Sequence, residues 1–388
     1  MNLPKTNWKP ITIQRLTGTT HPDSIPALGQ IITERWNRII RAPYMVYLPE
    51  QDRLLILASC DFPLRPMILS SDDHGATWTE PKVTHPFSAD ARHQVGVGLT
   101  YLGGGKLVFC TEEEGRFFSD DYGLTWSDPI PKPPTTGGKP WYQWDPMWID
   151  RDPHTGKVDR VGETGWNFIS EAWLPDGTMG PNQAYLRYSL DEGKTWQPDL
   201  EVPEWRGACE VALIRAANGD LVAACRTDPP NEYKRPVPEA DHYSGLGVSV
   251  SRDNGRTWSK INLLFAWGRH HPSMVLLPDG RILMTYVVRL GYEPTSDGFP
   301  QFGIEAVVSR DHGQTWDLDH RCILAQWKGN QPPERAWWPA PQATSSLRLP
   351  DGSILTAYGT CYRGQPGQNN TPIPADLGLI QWREENFT

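Results

Sequence analysis

The stretch Ser251-Arg252-Asp253-Asn254-Gly255-Arg256-Thr257-Trp258 decides the fold, because its pattern Ser-x-Asp-x-Gly-x-Thr-Trp occurs five times in the chain. The other copies are Ser71/Asp73/Gly75/Thr77/Trp78, Ser119/Asp121/Gly123/Thr125/Trp126, Ser189/Asp191/Gly193/Thr195/Trp196 and Ser309/Asp311/Gly313/Thr315/Trp316. Five fixed positions within eight residues do not recur by chance, and a long-period repeat of this kind marks a solenoid or a propeller. The residue types suit a hairpin turn. Aspartate accepts backbone N–H bonds inside the turn, glycine supplies positive φ, and tryptophan packs where the next strand begins.

Outward from each copy lies a second repeated unit: an apolar strand, a tight turn and another apolar strand. It reads YMVYLPEQDRLLILAS (44–59), VGLTYLGGGKLVFC (97–110), VALIRAANGDLVAAC (211–225), MVLLPDGRILMTYVV (274–288) and SSLRLPDGSILTAYG (345–359), with a degenerate form MWIDRDPHTGKVDRVGETG (147–165). Asn-Gly and Asp-Gly between apolar runs are hairpin signals. Each unit followed by a Ser-x-Asp-x-Gly-x-Thr-Trp turn makes four strands. Six units with five turns predict an all-β fold: a six-bladed β-propeller of four-stranded antiparallel blades, one domain over 1–388. ADLGLIQWRE (375–384) and an N-terminal strand around ITIQRL (11–16) would complete the last blade and close the ring, leaving no open sheet edge.

Composition narrows the partners. The formal net charge of −9 excludes the basic face that nucleic-acid binding demands. No apolar run approaches the ~18 residues that span a bilayer, so no membrane partner is expected. The N-terminal MNLPKTNWKPITIQ lacks the apolar core of a signal peptide, and the expected location is cytoplasmic, or secreted or periplasmic if a leader was removed. Six cysteines without a Cys-x-x-Cys spacing read as buried free thiols. Eighteen tryptophans are many, and Trp141, Trp144, Trp148, Trp166, Trp337 and Trp338 fall in stretches where an aromatic face could carry a sugar ring. No spacing resembles a zinc motif, although His93, Asp241, His242, His270 and His271 could together make a metal site; no metal or cofactor is expected.

The repeated motif resembles the Asp box of the sialidase (neuraminidase) superfamily, whose fold is a six-bladed β-propeller. In that superfamily the boxes lie on outer turns away from the active site, which implies a scaffold role for them here. The chemistry must then come from one end of the central channel. In chain order the inner hairpins would present there Arg41; Asp90, Arg92 and His93; Trp144 and Asp145; Glu210; Arg269, His270 and His271; and Gln342, with Arg226, Arg289, Tyr358 and Tyr362 from the returning strands.

The resemblance extends to single positions. Sialidases hold a substrate carboxylate with three arginines. Arg41-Ala42-Pro43 is similar to the family's Arg-Ile-Pro, Arg226 ends the matching strand of the fourth blade, and Arg289 is the candidate third. Guanidinium groups stay charged and grip carboxylates bidentately. Glu210 resembles the family's glutamate, and Asp90, or alternatively Asp145, its acid/base aspartate. The family's tyrosine has no counterpart: its stretch reads Gln342-Ala343-Thr344-Ser345-Ser346-Leu347 here, and only Tyr358 or Tyr362 stands nearby.

Three functions follow as expectations. The first is a sialidase-like exo-glycosidase acting on a glycan with a terminal acidic sugar. Arg41, Arg226, Arg289 and Arg269 with Gln342 and Trp144 would bind the sugar, Asp90 or His93 would be the acid, and Glu210 the base or nucleophile. The second is a uronate lyase using His93, His271 and Tyr358 or Tyr362 as acid and base. The third is a non-catalytic glycan-binding propeller.

Overall fold

The computed structural model describes residues 7–18, 21–33, 40–61, 63–87, 94–152, 154–170, 172, 174–234, 239–329, 343–362 and 375–383, with backbone alone at 40, 41, 239, 240, 360–362 and 375. Strands dominate, and the helical elements among the described residues are the short 3-10 turns Asn231–Tyr233, Glu239–Tyr243 and Leu318–His320.

The strands form an all-β propeller in which each hairpin unit becomes the inner pair of an antiparallel sheet. The first sheet runs Ile40–Leu48, Arg53–Cys60, Arg65–Ser71, Lys82–Val83 from inside to outside. The second, Gly96–Gly103, Lys106–Thr111, Arg116–Ser119, has three strands; where its fourth would lie there is an isolated bridge, Arg116 to Ile130. The third is Trp148–Arg151, Val158–Phe168, Asn182–Ser189, Leu200–Arg206, and the fourth Ala208–Arg215, Leu221–Thr227, Gly245–Ser251, Asn262–Phe265.

The remaining strands share one nine-stranded sheet. It runs Arg269–Leu276, Ile282–Val288, Gln301–Ser309, Cys322–Lys328, Lys9–Arg15, Asp23–Ile31, Ala375–Trp382, Ile354–Tyr362, Thr344–Arg348. The expected six separate four-stranded sheets are therefore met in part, and hydrogen bonding shows why. Ile11–Ile13 pair with Ala27–Ile25, while Gln14 and Arg15 also reach Ile323 and Cys322, which fuses the N-terminal hairpin to the strand before it. The strand that joins the C-terminal one is also different from the expectation. Leu28–Ile31 pair with Gln381–Gly378, so ITIQRL lies one strand further out.

The inner strands are stitched to one another by hydroxyl groups. Ser345 Oγ accepts from Met45 N at 2.9 Å, Ser273 Oγ accepts from Ser346 N at 3.0 Å, and Thr100 Oγ1 accepts from Met147 N at 2.9 Å. Between the sheets lie apolar clusters, such as Leu57, Val97, Leu99, Phe109 and Phe117, or Leu186, Trp205, Val211 and Trp258. Burial of such side chains contributes about 1.5–3 kcal/mol each.

All five repeated turns have one geometry. In the first, Ser71 Oγ donates to Asp73 Oδ1 at 2.8 Å and accepts from Gly75 N at 2.8 Å. Asp73 then accepts from Thr77 N at 2.8 Å and Thr77 Oγ1 at 2.6 Å. The residue before the glycine and the glycine itself are left-handed, for example Asn254 at φ 67° and Gly255 at φ 86°. Trp258 Nε1 closes the turn on Gly255 O at 3.2 Å. Cys110, Cys209, Cys225 and Cys322 are buried free thiols, as the sequence implies, and Cys60 is buried too.

Candidate active site

Inner strands of four sheets break register near their start. The shifts fall at Arg41/Tyr44, Gly96/Gly98, Ala208/Val211 and His270/Ser273. A bulge re-aims a side chain and is over-represented beside active sites. Two residues at these bulges carry positive φ without being glycine, Ala42 at 48° and His271 at 50°. Such strained backbone persists only where the surroundings enforce it.

The bulges bring a charged cluster together. Glu210, from the bulge of the fourth sheet, lies 2.8 Å from Arg226 Nη1 and, through Oε2, 2.7 Å from His271 Nδ1. Arg226 also bonds Asp241 Oδ1, and Arg289 bonds Asp241 Oδ2, so one carboxylate bridges two guanidinium groups. His271 Nε2 lies 3.5 Å from Arg289 Nη2. A carboxylate at Nδ1 and a guanidinium at Nε2 assign the imidazole proton to Nδ1, leaving Nε2 as acceptor. The rings of Trp144 and His271 are 6.0 Å apart, and the Trp144 carbonyl accepts from Tyr44 OH at 2.8 Å.

The electrostatics divide the carboxyl groups. Burial would raise Glu210, but the charges of Arg226 and His271 and the histidine hydrogen bond bring it below the ordinary range. Burial likewise opposes ionisation of Asp241, yet Arg226 and Arg289 hold it well below. Asp145 goes the other way. Burial and then the Glu210 charge push it well above a normal carboxyl, and the Val211 N–H bond only partly offsets this. Burial also keeps His271 and His270 below a normal imidazole, and it raises Tyr44, with Asp145 and Glu210 adding to the rise.

Two cavities meet at the cluster. A small cleft is lined by Trp166, Met179, Asn182, Glu210, Arg226 and Asp241. On the inner side a channel cavity is lined by Tyr44, Trp144, Asp145, His271, Thr344 and Ser345. The Glu210–His271 pair stands between them.

Of the residues singled out from sequence, the structure thus brings together Glu210, Asp145, His271, Arg226, Arg289 and Trp144. Tyr358 is not among them. It lies inside its sheet, stacked on Trp327 at 5.8 Å between ring centroids and packed over Gly378, where a Cβ would come within 2.4 Å of its ring. Arg269 is corrected too: it pairs with buried Glu305 at 3.0 Å and lies 4.7 Å over the Phe265 ring. Trp141 is a core residue under the Arg187 guanidinium, and Trp148 is covered by Arg160 and Arg215; Trp166 alone of these three lines the cleft. Asp90, His93, Arg92, Gln342, Trp337 and Trp338 lie outside the described residues, as do the side chains of Arg41 and Tyr362.

Two members of the cluster had no assigned role in sugar chemistry. Asp241 was singled out only as a possible metal-site member with His242, His270 and His271, on a connection between strands. Tyr44 follows Arg41-Ala42-Pro43 directly, and the left-handed Ala42 that turns it inward has no sequence signature.

Asp-box turns, propeller sheets and a buried acid–base cluster at the inner bulges define the class of protein. The chain belongs to the BNR repeat-like domain family, whose pattern matches residues 175–380. No curated protein matches it. Among solved structures it is similar to a protein of unknown function from Dyadobacter fermentans, at TM-score 0.63 and 17% identity over 92% of this chain and 98% of that one. It is also similar to the NanB sialidase of Streptococcus pneumoniae (TM-score 0.58, 11% identity, 90% and 69% covered) and to the phage phi92 endosialidase (TM-score 0.50, 10% identity, 94% and 71% covered). At these identities the likeness is one of fold.

Proposed function

We propose that the chain is a sialidase-like, glycan-active enzyme that hydrolyses a glycosidic bond. The carrying observation is two buried, electrostatically coupled carboxyl groups shifted in opposite directions, Asp145 raised on the channel side and Glu210 lowered on the cleft side. Glycoside hydrolysis uses such a pair, an acid to protonate the leaving oxygen and an ionised partner on the sugar. Burial and the Glu210 charge shift Asp145 well toward its protonated form, and its Oδ2 meets no hydrogen-bond partner among the described residues, which suits it to giving up a proton. Glu210 stays ionised and acts as base toward water or as nucleophile. His271 Nδ1 stands 2.7 Å from its Oε2 and helps to position it. Tyr44 keeps its own proton, because its hydroxyl is engaged by Trp144 O and its pKa is raised; it does not replace the missing family tyrosine as nucleophile.

The proposal carries the blade count with it. The nine-stranded sheet reads as two four-stranded blades, Arg269–Lys328 and the group closed by Asp23–Ile31, joined by Lys9–Arg15, which makes six. The lyase reading loses Tyr358 to the core. An acidic terminal sugar, the finer expectation from sequence, requires Asp241 to leave Arg226 and Arg289.

A leaving-group series tests the acid. Asp145→Asn is expected to slow cleavage of alkyl or sugar glycosides by about 10²–10³-fold while sparing 4-nitrophenyl glycosides, whose leaving group needs no proton. Equal loss on both would remove Asp145 from that role, and no hydrolysis of any glycoside by the wild type would remove the proposal.

A further inference from the structure

Asp241 does something that the hydrolytic machinery does not require. It sits on the short 3-10 turn Glu239–Tyr243, in the connection between the second and third strands of the fourth sheet, and not on an inner strand. From there its carboxylate enters the cleft that Glu210 also lines, and its two oxygens are taken by two different arginines, Oδ1 by Arg226 and Oδ2 by Arg289. Two guanidinium groups sharing the two oxygens of one carboxylate is the arrangement by which arginines grip a carboxylate ligand. Here the gripped carboxylate belongs to the chain itself. Arg289 is essentially inaccessible, with 1% of its side chain exposed, whereas Asp241 retains 19% at the cleft surface.

We infer that Asp241 is a specificity-determining residue. It fills the carboxylate position of the arginine pair, so the sugar this site accepts carries no carboxylate there and is a neutral glycoside. The inference rests on the proposed glycosidase reading and names its substrate class.

The energetics favour this outcome. A free acidic sugar would have to displace a carboxylate of the same charge that is tethered at high effective concentration. It would gain contacts equal to those it breaks, and it would leave Asp241 to be solvated elsewhere. A neutral sugar meets arginines whose charge is already balanced and gives up nothing. Removing one carboxylate from a buried cluster of opposite charges is strongly destabilising, which accounts for a tethered one being kept.

The test is carboxylate rescue of Asp241→Ala, with Asp241→Asn as the isosteric second variant. Thermal unfolding would be followed in sodium acetate against sodium chloride at equal ionic strength. Acetate is expected to raise Tm of Asp241→Ala by at least about 2 °C over chloride. The wild type should show no such difference. Equilibrium binding of N-acetylneuraminic acid and glucuronic acid, with glucose as the neutral control, gives the second readout. Both acids should bind Asp241→Ala at least about tenfold more tightly than wild type, with Asp241→Asn, whose amide still occupies the position, between the two and glucose unchanged. If Asp241→Ala folds only with acetate present, that requirement itself supports the assignment.

Acetate stabilising wild type and variants equally, or wild type binding either acid as tightly as the variants, would overturn it. Neither readout needs turnover, so an inactive protein would sink the glycosidase proposal while leaving this one decided by binding.

Discussion

Carboxylates are held by hydrogen bonds in two parts of this molecule, the outer box turns and the inner charged cluster, and the two holdings differ in reach. Asp121 takes its partners from Ser119 and Thr125, two and four residues away, on an exposed turn. Glu210 and Asp241 take theirs from Arg226, His271 and Arg289, up to 61 residues on, each placed by a different strand. A local holding shapes backbone and can be copied around the ring. A non-local holding needs the ring already formed, and it yields a desolvated site where charges perturb one another. The first makes scaffold, and the second makes the site to which the proposed function assigns the chemistry.

The sharpest way to break this division is Glu210→Gln. It should lower kcat on any glycoside substrate by about 10³-fold or more while the protein still melts cooperatively, since loss of an essential carboxylate acts on the transition state. A variant with retained kcat would return Glu210 to being only the arginine's partner.

Acid should separate the two regions next. Burial, then the Arg289 charge, lowers His242 to about 4, so it stays neutral in the fold while the unfolded chain protonates near 6.5. Between those values the unfolded state binds more protons, and stability therefore falls as pH falls from 6.5 toward 4. His242 alone contributes roughly 3 kcal/mol to that loss. His242→Gln should flatten the urea-measured stability profile across this window. The boxes respond lower down. Asp253 is lowered to about 2 by its Thr257 and backbone bonds, so its contribution is present above the ordinary aspartate range and disappears as pH falls from about 4 toward 2. An unchanged slope between pH 6.5 and 4 in His242→Gln would contradict the assignment of that window to the buried histidine.

A box substitution should be smaller and silent in catalysis. Asp121→Ala removes three accepted bonds and should cost about 1–2 kcal/mol in denaturant unfolding, with kcat unchanged. Combined with Asp191→Ala in the next box, the costs should add, because separated sites without shared partners behave independently. A kcat change in either would show that the boxes reach the site.

The smallest effect is expected from Tyr358→Phe. Packed over Gly378 and against Trp327, its ring fills the core, so the variant should hold kcat within about twofold and lose no more than about 1 kcal/mol. A large loss of kcat would restore it as a candidate acid or base.

How far the sequence could be read follows the same line. The boxes and hairpins were legible because a turn's hydrogen bonds lie within its own eight residues and its glycine announces positive φ. Glu210, Arg226, Arg289, Asp145 and His271 were legible as a set because strand ends repeat with the hairpins. Arg269 and Tyr358 show where that reasoning stops: a place near a strand end does not say which face a side chain takes, and both pack against strands of their own nine-stranded sheet. A bulge decides that face, and the bulge at His270/Ser273 sends neighbouring residues to opposite fates, Arg269 to Glu305 and His271 to Glu210. The pairing of Asp241 with two arginines from different sheets was not legible either, since a connection's path over the ring leaves no periodic trace. Nor was the fusion into a nine-stranded sheet, which depends on two residues, Gln14 and Arg15, touching a neighbouring strand.

The most direct measurement is product analysis in ¹⁸O-labelled water, with purified protein, a panel of neutral and acidic oligosaccharides, and Glu210→Gln as the control. The account predicts a released sugar carrying one labelled oxygen with the wild type and none with the variant. An unsaturated product without label, or label released equally by Glu210→Gln, would contradict it.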